Sequence, residues 1–180
     1  MKRVIILGRG ASGKSSLART LGELTDLPVI ELDRVFWQPG LQPVPPDKWA
    51  SLQNELVRKP EWILDGDLGP YDVTDIRIRE ADTIIFLDYP LAICAWRALR
   101  RSRERADFWR WLFTYRRIHR PSLMKAFEDR APSAELHVFR NPKAVRRFIR
   151  QITIEMSPTR KTRIETALKA AESSSCVCWA

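Results

Sequence analysis

The chain has 180 residues, enough for one domain with a sizeable core, and its apolar fraction of 44% suits a globular protein. Its three cysteines are too few and too unevenly placed for a disulfide scaffold, and no apolar stretch approaches the roughly 20 residues that cross a bilayer, so we expect a cytoplasmic protein without a membrane partner. The net charge of +9 is concentrated in residues 97–150, which carry sixteen basic and five acidic side chains and therefore predict a segment that handles an anion.

Short apolar runs alternate along the chain with helical patterns. The runs predict five strands, at Val4–Leu7, Val29–Leu32, Trp62–Leu64, Thr83–Leu87 and Leu136–Phe139. The patterns between and after them predict helices at Lys14–Leu24, Asp47–Lys59, Leu91 to about Arg105, Trp109–Arg130 and Pro142–Gln151. This alternation predicts an α/β fold, with a parallel sheet and helices on both of its faces.

Two stretches fall outside this alternation. Arg34–Pro46 contains four prolines and two aromatic residues, which predicts a loop over the edge of the sheet. After Gln151 the chain becomes rich in Ser and Thr, and we expect one modest helix at Thr159–Ala171 within a loosely packed or disordered tail. The chain is thus predicted to form a domain over residues 1–151, followed by a tail over residues 152–180.

The segment GRGASGKSSLA, from Gly8 to Ala18, lies between the first predicted strand and the first predicted helix. Its glycines fit the G-x-G-x-x-G pattern of dinucleotide sites, and Asp33 lies at about the distance where that pattern has its acidic residue. The same segment fits G-x-x-x-x-G-K-[ST], in which backbone amides cradle phosphates, a lysine counters their charge and a hydroxyl group coordinates Mg²⁺. We favour this P-loop interpretation, with ATP or GTP as ligand, because 180 residues leave little room for a dinucleotide and a substrate domain. The predicted nucleotide-binding residues are Gly8, Gly10, Ala11, Ser12, Gly13, Lys14, Ser15 and Ser16.

Three aspartates follow predicted strands, at the carboxyl edge where parallel sheets bind ligands. Asp65 and Asp33 are the candidates to orient Mg²⁺ together with Ser15, and Asp33 could serve as general base if the acceptor is a hydroxyl group. Asp88 precedes Pro90, and we expect it to cap the next helix.

These segments resemble the adenylate kinase-like branch of small P-loop kinases, in particular the bacterial proteins known as DNA topology modulation proteins. The resemblance covers about Met1–Gln151 and rests on GRGASGKSSLA, LPVIELDRVFWQPG, WILDGDLG, RIREADTIIFLD and WRALRR. It implies a three-layer α/β/α P-loop NTPase fold with a five-stranded parallel sheet. It also implies a nucleotide donor over the loop, an acceptor site between the second and third strands, and an Arg-rich helical lid over approximately residues 97–130.

The resemblance also implies roles for individual residues on the donor side. Arg97 and Arg101, spaced four apart after the fourth strand, would contact the donor nucleotide and act in catalysis with Lys14. Asn141 and Pro142 lie in the segment whose backbone would meet the adenine.

On the acceptor side, Arg77 is placed to reach an acceptor phosphate, and the aromatic residues Phe36 and Trp37 suggest a planar group. Asp67 stands where adenylate kinases begin an aromatic-Pro-Arg run. The acceptor therefore stays open among a nucleoside monophosphate, a nucleoside and another small hydroxyl compound.

Nine arginines lie between Arg97 and Arg120, interleaved with Trp109, Trp111, Phe113 and Tyr115. A lid of this kind would close over ATP, although the same pattern also suits a solvated basic face with its aromatics packed inward. The predicted function is an ATP- and Mg²⁺-dependent phosphotransferase for a small acceptor. The alternative is a nucleotide-regulated DNA-binding or DNA topology regulatory protein, in which arginines contact phosphates and aromatic rings stack on bases.

Overall fold

A computed structural model describes residues 1–40, 42–69, 72–101 and 106–156. In chain order its elements are β1 (Arg3–Gly8), α1 (Lys14–Thr25), β2 (Val29–Glu31), α2 (Leu32–Phe36), β3 (Trp37–Gln38), β4 (Gln42–Pro43), α3 (Pro46–Val57), β5 (Trp62–Asp65), α4 (Thr74–Glu80), β6 (Thr83–Leu87), α5 (Leu91–Arg101), α6 (Ala106–Arg130), β7 (Glu135–Phe139) and α7 (residues 142–156). The chain groups into two compact units, Met1–Pro142 and Lys143–Ala180, of which the first contains every strand of the described ranges. None of the helices in these ranges is both long and apolar enough to span a bilayer.

Five strands form one parallel sheet in the order β2-β5-β1-β6-β7. The central strand β1 pairs on one side with β5, with Ile5 opposite Leu64, and on the other side with β6, with Ile5 opposite Ile84. Residues 4–7 of β1 are all fully buried, and side chains alternate between the faces of a strand, so both faces of the sheet are covered. The prediction of a five-stranded parallel sheet is confirmed.

The helix bounds agree with the sequence pattern to within a few residues, and α6 continues through Pro121 without a break. The prediction of a loop at Arg34–Pro46 is wrong, because this stretch holds most of α2 and the small antiparallel pair β3–β4. Tertiary packing stabilises regular structure here despite the four prolines. The Phe36 side chain lies in the core, and the Phe36 carbonyl oxygen accepts a hydrogen bond from the Val44 amide at 3.1 Å. The sequence analysis also missed α4. The helix predicted at Thr159–Ala171 lies outside the described residues.

Gly8, where β1 ends, approaches the neighbouring strand too closely for any side chain. Its φ is +143°, and a Cβ atom built there would lie 2.7 Å from the Leu87 carbonyl oxygen. We expect Gly8→Ala to lower the free energy of unfolding by about 2–3 kcal/mol, because both backbone strain and a clash with main-chain atoms result. Chemical denaturation would measure this loss.

Gly40 provides the matched control. It also has a positive φ, +81°, but a Cβ atom there would have no atom of the described residues within 4 Å. Gly40→Ala should therefore lower the free energy of unfolding by only about 1–2 kcal/mol, the contribution of backbone strain alone. An equal decrease in the free energy of unfolding of the two variants would show that the close contact with Leu87 does not affect stability.

Candidate active site

The loop between β1 and α1 forms a cradle of backbone groups. Ala11 and Gly13 have left-handed φ angles of 55° and 97°, and they turn the chain into α1. No side chain caps α1 and no acidic residue lies in its first turn, so its amino end keeps its partial positive charge for an anion. The Lys14 ammonium group bends back over the loop and donates to the carbonyl oxygens of Gly8, at 2.9 Å, and Arg9, at 3.3 Å. The hydroxyl group of Ser12 is buried without a partner in the described part of the chain.

Asp65 ends β5 and lies beside this loop. Its side chain is buried, and its Oδ1 atom has no hydrogen-bond partner among the described residues. Burial raises the pKa of Asp65, while the positive charge of Lys14 and a hydrogen bond with the Ser15 side chain partly offset that rise. Asp65, Ser15 and Lys14 are therefore close neighbours.

Asp33 comes from the adjacent strand edge. It lies two residues beyond β2, in α2, and β2 pairs with β5 so that Glu31 stands opposite Asp65. Although the residue is exposed overall, partial desolvation of its carboxyl group raises its pKa, and Lys14 opposes the rise. The structure thus brings together Lys14, Ser15, Asp65 and Asp33, as the sequence analysis expected from their positions.

Arg97, on α5, reaches the loop from the other side. Its Nη1 atom donates to the Ser12 carbonyl oxygen at 2.7 Å, and its guanidinium group lies over the Tyr89 ring at 5.5 Å. Arg101 ends α5, and its side chain lies outside the described part of the structure. Asn141 and Pro142 follow β7 at the carboxyl edge of the sheet, where α7 begins.

An aromatic face of α6 covers the loop. A Cβ atom at Gly10 would lie 2.6 Å from ring atoms of both Phe108 and Trp111, so these rings rest on the loop backbone. One turn further on, the Tyr115 ring lies 5.6 Å from the Arg9 guanidinium group, which is almost fully buried. Phe113, in contrast, is 58% exposed.

The Tyr115 hydroxyl group ties α6 to the segment after β5. It donates to Asp67 Oδ2 at 2.7 Å, and the second Asp67 oxygen accepts a hydrogen bond from the Gly69 amide at 3.1 Å. Burial, followed by the charge of Asp67, raises the pKa of Tyr115, so this hydroxyl group keeps its proton and remains a donor. Sequence reasoning assigned no role to Arg9, Asp67 or Phe108. The sequence analysis began this helix at Trp109, but the spacing of the aromatics at 108, 111 and 115 is a signal that could have indicated a shared helix face.

Three sequence expectations differ from the structure. Arg77 is fully buried, forms an ion pair with Asp72 and donates to the Gly66 carbonyl oxygen at 3.1 Å, so it is not positioned to reach an acceptor phosphate. Phe36 is buried in the core, its ring edge-on to Trp49 at 5.0 Å, whereas Trp37 on β3 is exposed. Asp88 accepts a hydrogen bond from Arg120 Nε at 3.0 Å, an ion pair with α6.

The buried carboxylate of Asp65, whose Oδ1 atom has no partner among the described residues, is expected to affect stability. Because its pKa is higher in the folded than in the unfolded state, folding disfavours its ionised form. The free energy of unfolding should fall as pH rises from the unfolded pKa through the raised folded pKa, and stay lower at neutral pH. Asp65→Asn removes this charge, so we expect the nucleotide-free protein to gain about 1 kcal/mol at pH 7, or roughly 2–4 °C in Tm.

Asp82→Asn is the control, because its expected change in stability has the opposite sign. Burial alone would raise the pKa of Asp82, but hydrogen bonds from Thr83 and from the amides of Arg3 and Lys2 lower it below its usual value. Its ionised form therefore supports folding, and its replacement should reduce Tm at neutral pH. The Tm values of both variants, measured by thermal unfolding at neutral pH, test these two predictions. A lower Tm for Asp65→Asn than for the parent protein would contradict the first.

No family model and no curated protein sequence matches the chain. Solved structures do match its fold. Shikimate kinase from Acinetobacter baumannii in complex with shikimate is 15% identical, with a TM-score of 0.59 over 88% of this chain and 94% of that one. Gluconokinase from Sinorhizobium meliloti 1021 is 16% identical, with a TM-score of 0.53 over 92% and 97%. Shikimate kinase from Bacteroides thetaiotaomicron is 14% identical, with a TM-score of 0.54 over 87% and 98%.

At these identities the likeness concerns the fold. The chain has the three-layer α/β/α P-loop fold of these proteins, and the predicted fold class is confirmed. The finer placement in the adenylate kinase-like branch rests on the sequence motifs alone.

Proposed function

We propose that the protein is a phosphotransferase that moves the γ-phosphoryl group of ATP, with Mg²⁺, to a small acceptor. One observation carries this proposal: the ammonium group of Lys14, beside Ser15, lies within electrostatic reach of two strand-end carboxylates, Asp65 and Asp33. Phosphoryl transfer needs positioned charges more than covalent chemistry, and this group of side chains supplies them. The fold shared with a gluconokinase and two shikimate kinases supports the same class of reaction.

The residues around the loop fit a bound nucleotide. The uncapped amino end of α1 and the loop amides suit phosphate oxygens, and Lys14 already contacts main-chain oxygens that phosphates would replace. The Oδ1 atom of Asp65, which has no partner in the part of the chain that the structure describes, suits the water shell of a magnesium ion next to the Ser15 hydroxyl group. ATP with Mg²⁺ would supply an activated phosphoryl group whose charge the metal partly neutralises.

Other side chains would position and shield the reaction. Asp33 would accept the proton of an acceptor hydroxyl group, and its raised pKa brings it closer to working pH. Arg97, held on the loop through Ser12, would neutralise charge on the phosphates, and we keep for Arg101, Asn141 and Pro142 the donor contacts that the family resemblance implies. Phe108 and Trp111, packed on Gly10, would exclude water and so limit hydrolysis of ATP.

The DNA-binding alternative receives no support from Trp111 and Tyr115, two of the four aromatic residues that would stack on bases. Trp111 and Tyr115 are turned toward the loop, where a Cβ atom at Gly10 would touch Trp111 and Arg9 lies over Tyr115. Base stacking needs accessible ring faces.

The test is an acceptor screen that follows ADP production from ATP and Mg²⁺ across nucleotides, nucleosides, polyols and amino alcohols. We expect acceptor-dependent turnover that disappears when Mg²⁺ is removed with EDTA and returns when it is restored. DNA affinity that is strongly salt-dependent and independent of ATP, together with no turnover on any acceptor, would replace the kinase proposal with the regulatory one.

A further inference from the structure

The side chain of Arg9 is a buried cation that the nucleotide site does not use. Arg9 is 4% exposed, and its Nε and Nη1 atoms have no hydrogen-bond partner among the described residues. The Asp67 carboxylate near it instead accepts from the Tyr115 hydroxyl group and the Gly69 amide. A guanidinium group keeps its charge at physiological pH, and a buried charge without a partner is costly. The two free N–H groups therefore indicate that Arg9 binds an anion.

A second unpaired hydrogen-bond donor lies beside Arg9, on α6. The Nε1 atom of Trp111 is buried and has no partner in the part of the chain that the structure describes. The Trp111 ring packs edge-on against the Tyr115 ring, with centroids 5.4 Å apart, and the Arg9 guanidinium group lies 5.6 Å from the same ring. Guanidinium and indole N–H groups only donate hydrogen bonds, which suits the oxygens of a carboxylate or a phosphate group.

These two hydrogen-bond donors lie between the nucleotide loop and the segment that follows β5. Arg9 belongs to the loop, and its carbonyl oxygen accepts from Lys14 Nζ at 3.3 Å. A Cβ atom at Gly69 would lie 2.7 Å from Trp111 Nε1, so this N–H group rests on the backbone after β5. β5 pairs with β2, the strand that Asp33 follows. An anion held by both groups would therefore be attached to the acceptor rather than to the nucleotide base or ribose.

From this arrangement we propose that Arg9 and Trp111 form an anion subsite for the acceptor. The acceptor is then a hydroxyl compound that carries a carboxylate or a phosphate group, a hydroxy acid or a sugar phosphate. This inference rests on the proposed function. Because α6 covers Arg9, the acceptor reaches the subsite when this helix moves away from the loop, as in the lid that the family resemblance implies.

The subsite orients the acceptor and takes no part in the bond changes. The acceptor hydroxyl oxygen forms a bond to the γ-phosphorus, the bond from that phosphorus to the β,γ-bridging oxygen breaks, and ADP leaves with the electron pair. The hydroxyl proton passes to the Asp33 carboxylate. A guanidinium group on the anion fixes the distance of the hydroxyl group from the phosphorus, because its planar fork binds two oxygens at once.

Acceptors that differ in charge test the inference. Glycerol, glycerate and glycerol 3-phosphate form one series, and glucose, gluconate and glucose 6-phosphate form a second. In a series that is turned over, we expect an anionic member to have a kcat/KM at least about thirtyfold above that of the neutral member, because only the anion pairs with the buried guanidinium group. The better of the two anions identifies the group that the subsite holds. Equal or better turnover of the neutral member overturns the inference.

Arg9→Met removes the guanidinium group and keeps an unbranched apolar side chain. The kcat/KM for the anionic acceptor should fall at least about thirtyfold, and that for the neutral acceptor less than about threefold. Arg58→Met is the matched control, because the same change at this exposed arginine at the end of α3 should leave both values unchanged. A purely structural role would affect both acceptors alike, so an unchanged ratio in Arg9→Met contradicts the inference.

Thermal unfolding provides a measurement that does not depend on turnover. Without ligand, Arg9→Met should keep or raise the Tm of the parent protein, because exchange of a buried, unpaired charge for an apolar group is neutral or stabilising. The preferred anionic acceptor at saturating concentration should raise the Tm of the parent protein but not that of Arg9→Met. Equal protection of the two proteins would contradict the inference.

Trp111→Phe is a second variant, which leaves the buried charge in place. It keeps an aromatic ring on Gly10 and removes only the indole N–H group, so the preference for the anionic acceptor should narrow about three- to tenfold. Trp96→Phe removes an indole N–H group from an exposed position on α5 and should leave the preference unchanged. The same preference in Trp111→Phe and the parent protein would exclude Trp111 from the subsite.

Nucleotide binding separates this inference from the proposed function. By calorimetry, Arg9→Met should bind ATP and ADP as the parent protein does, and a selective loss of ATP affinity would assign Arg9 to the γ-phosphate and overturn the acceptor subsite. If ATP binds in a Lys14-dependent manner but no anionic acceptor is turned over, the acceptor class is wrong and the nucleotide site stands. If no Lys14-dependent binding of ATP is found, the proposed function itself fails.

Discussion

Replacing Lys14 by alanine is expected to lower kcat by about 10²–10³-fold, because the variant lacks the ammonium group that lies on the loop. The fold should survive, since among the described residues Lys14 Nζ donates to two carbonyl oxygens, at 2.9 and 3.3 Å, and such bonds contribute about 1 kcal/mol each. Steady-state ADP production and circular dichroism would measure the two effects.

Lys48→Ala is the matched control, because this exposed lysine on α3 undergoes the same chemical change away from the loop. Its turnover should equal that of the parent protein. Undiminished turnover in Lys14→Ala would refute the assignment of the loop as the donor site. Retained ATP affinity with lost turnover would restrict the role of Lys14 to the transition state.

Asp33→Asn is expected to reduce kcat with a hydroxyl acceptor by about 10²–10⁴-fold, the range associated with loss of a general base. The pH dependence identifies the role. Asp33 must be ionised to accept a proton, so kcat/KM in the parent protein should fall as pH drops through its raised pKa. That acidic limb should be absent in Asp33→Asn.

Two comparisons sharpen this prediction. Asp47→Asn removes an exposed carboxylate from the first turn of α3 and should leave both rate and pH profile unchanged. Because the charge of Lys14 lowers the pKa of Asp33, the residual activity of Lys14→Ala should show its acidic limb at higher pH than the parent protein. An Asp33→Asn variant that keeps the acidic limb would assign the base to another residue.

The donor half of the candidate site was predictable because its parts are neighbours in the chain. A loop from Gly8 to Ser15, preceded by an apolar strand and followed by a helix, uses backbone angles and amides that its own residues provide. The strand-end aspartates were predictable for a related reason, since parallel strands deliver their carboxyl ends to the same edge.

The acceptor half and the covering helix were not predictable in this way. Tyr115 meets Asp67 across 48 residues, and Arg97 meets the Ser12 carbonyl oxygen across 85. Nothing in the spacing of Arg77 indicates that Asp72 and Gly66 would occupy its guanidinium group after folding. Proline content at residues 34–46 likewise suggested a loop, whereas burial of Phe36 against Trp49 stabilises a short helix and a hairpin there.

The P-loop motif and the alternation of strands and helices were therefore sufficient to identify a P-loop α/β fold. Both signals are local, because a few consecutive residues encode the backbone geometry of the loop and the burial pattern of each strand. Which charges remain available to an acceptor, and which aromatic rings rest on the loop, followed from packing between distant segments. Such contacts depend on the relative positions of whole helices and strands, and short-range sequence patterns do not encode those positions.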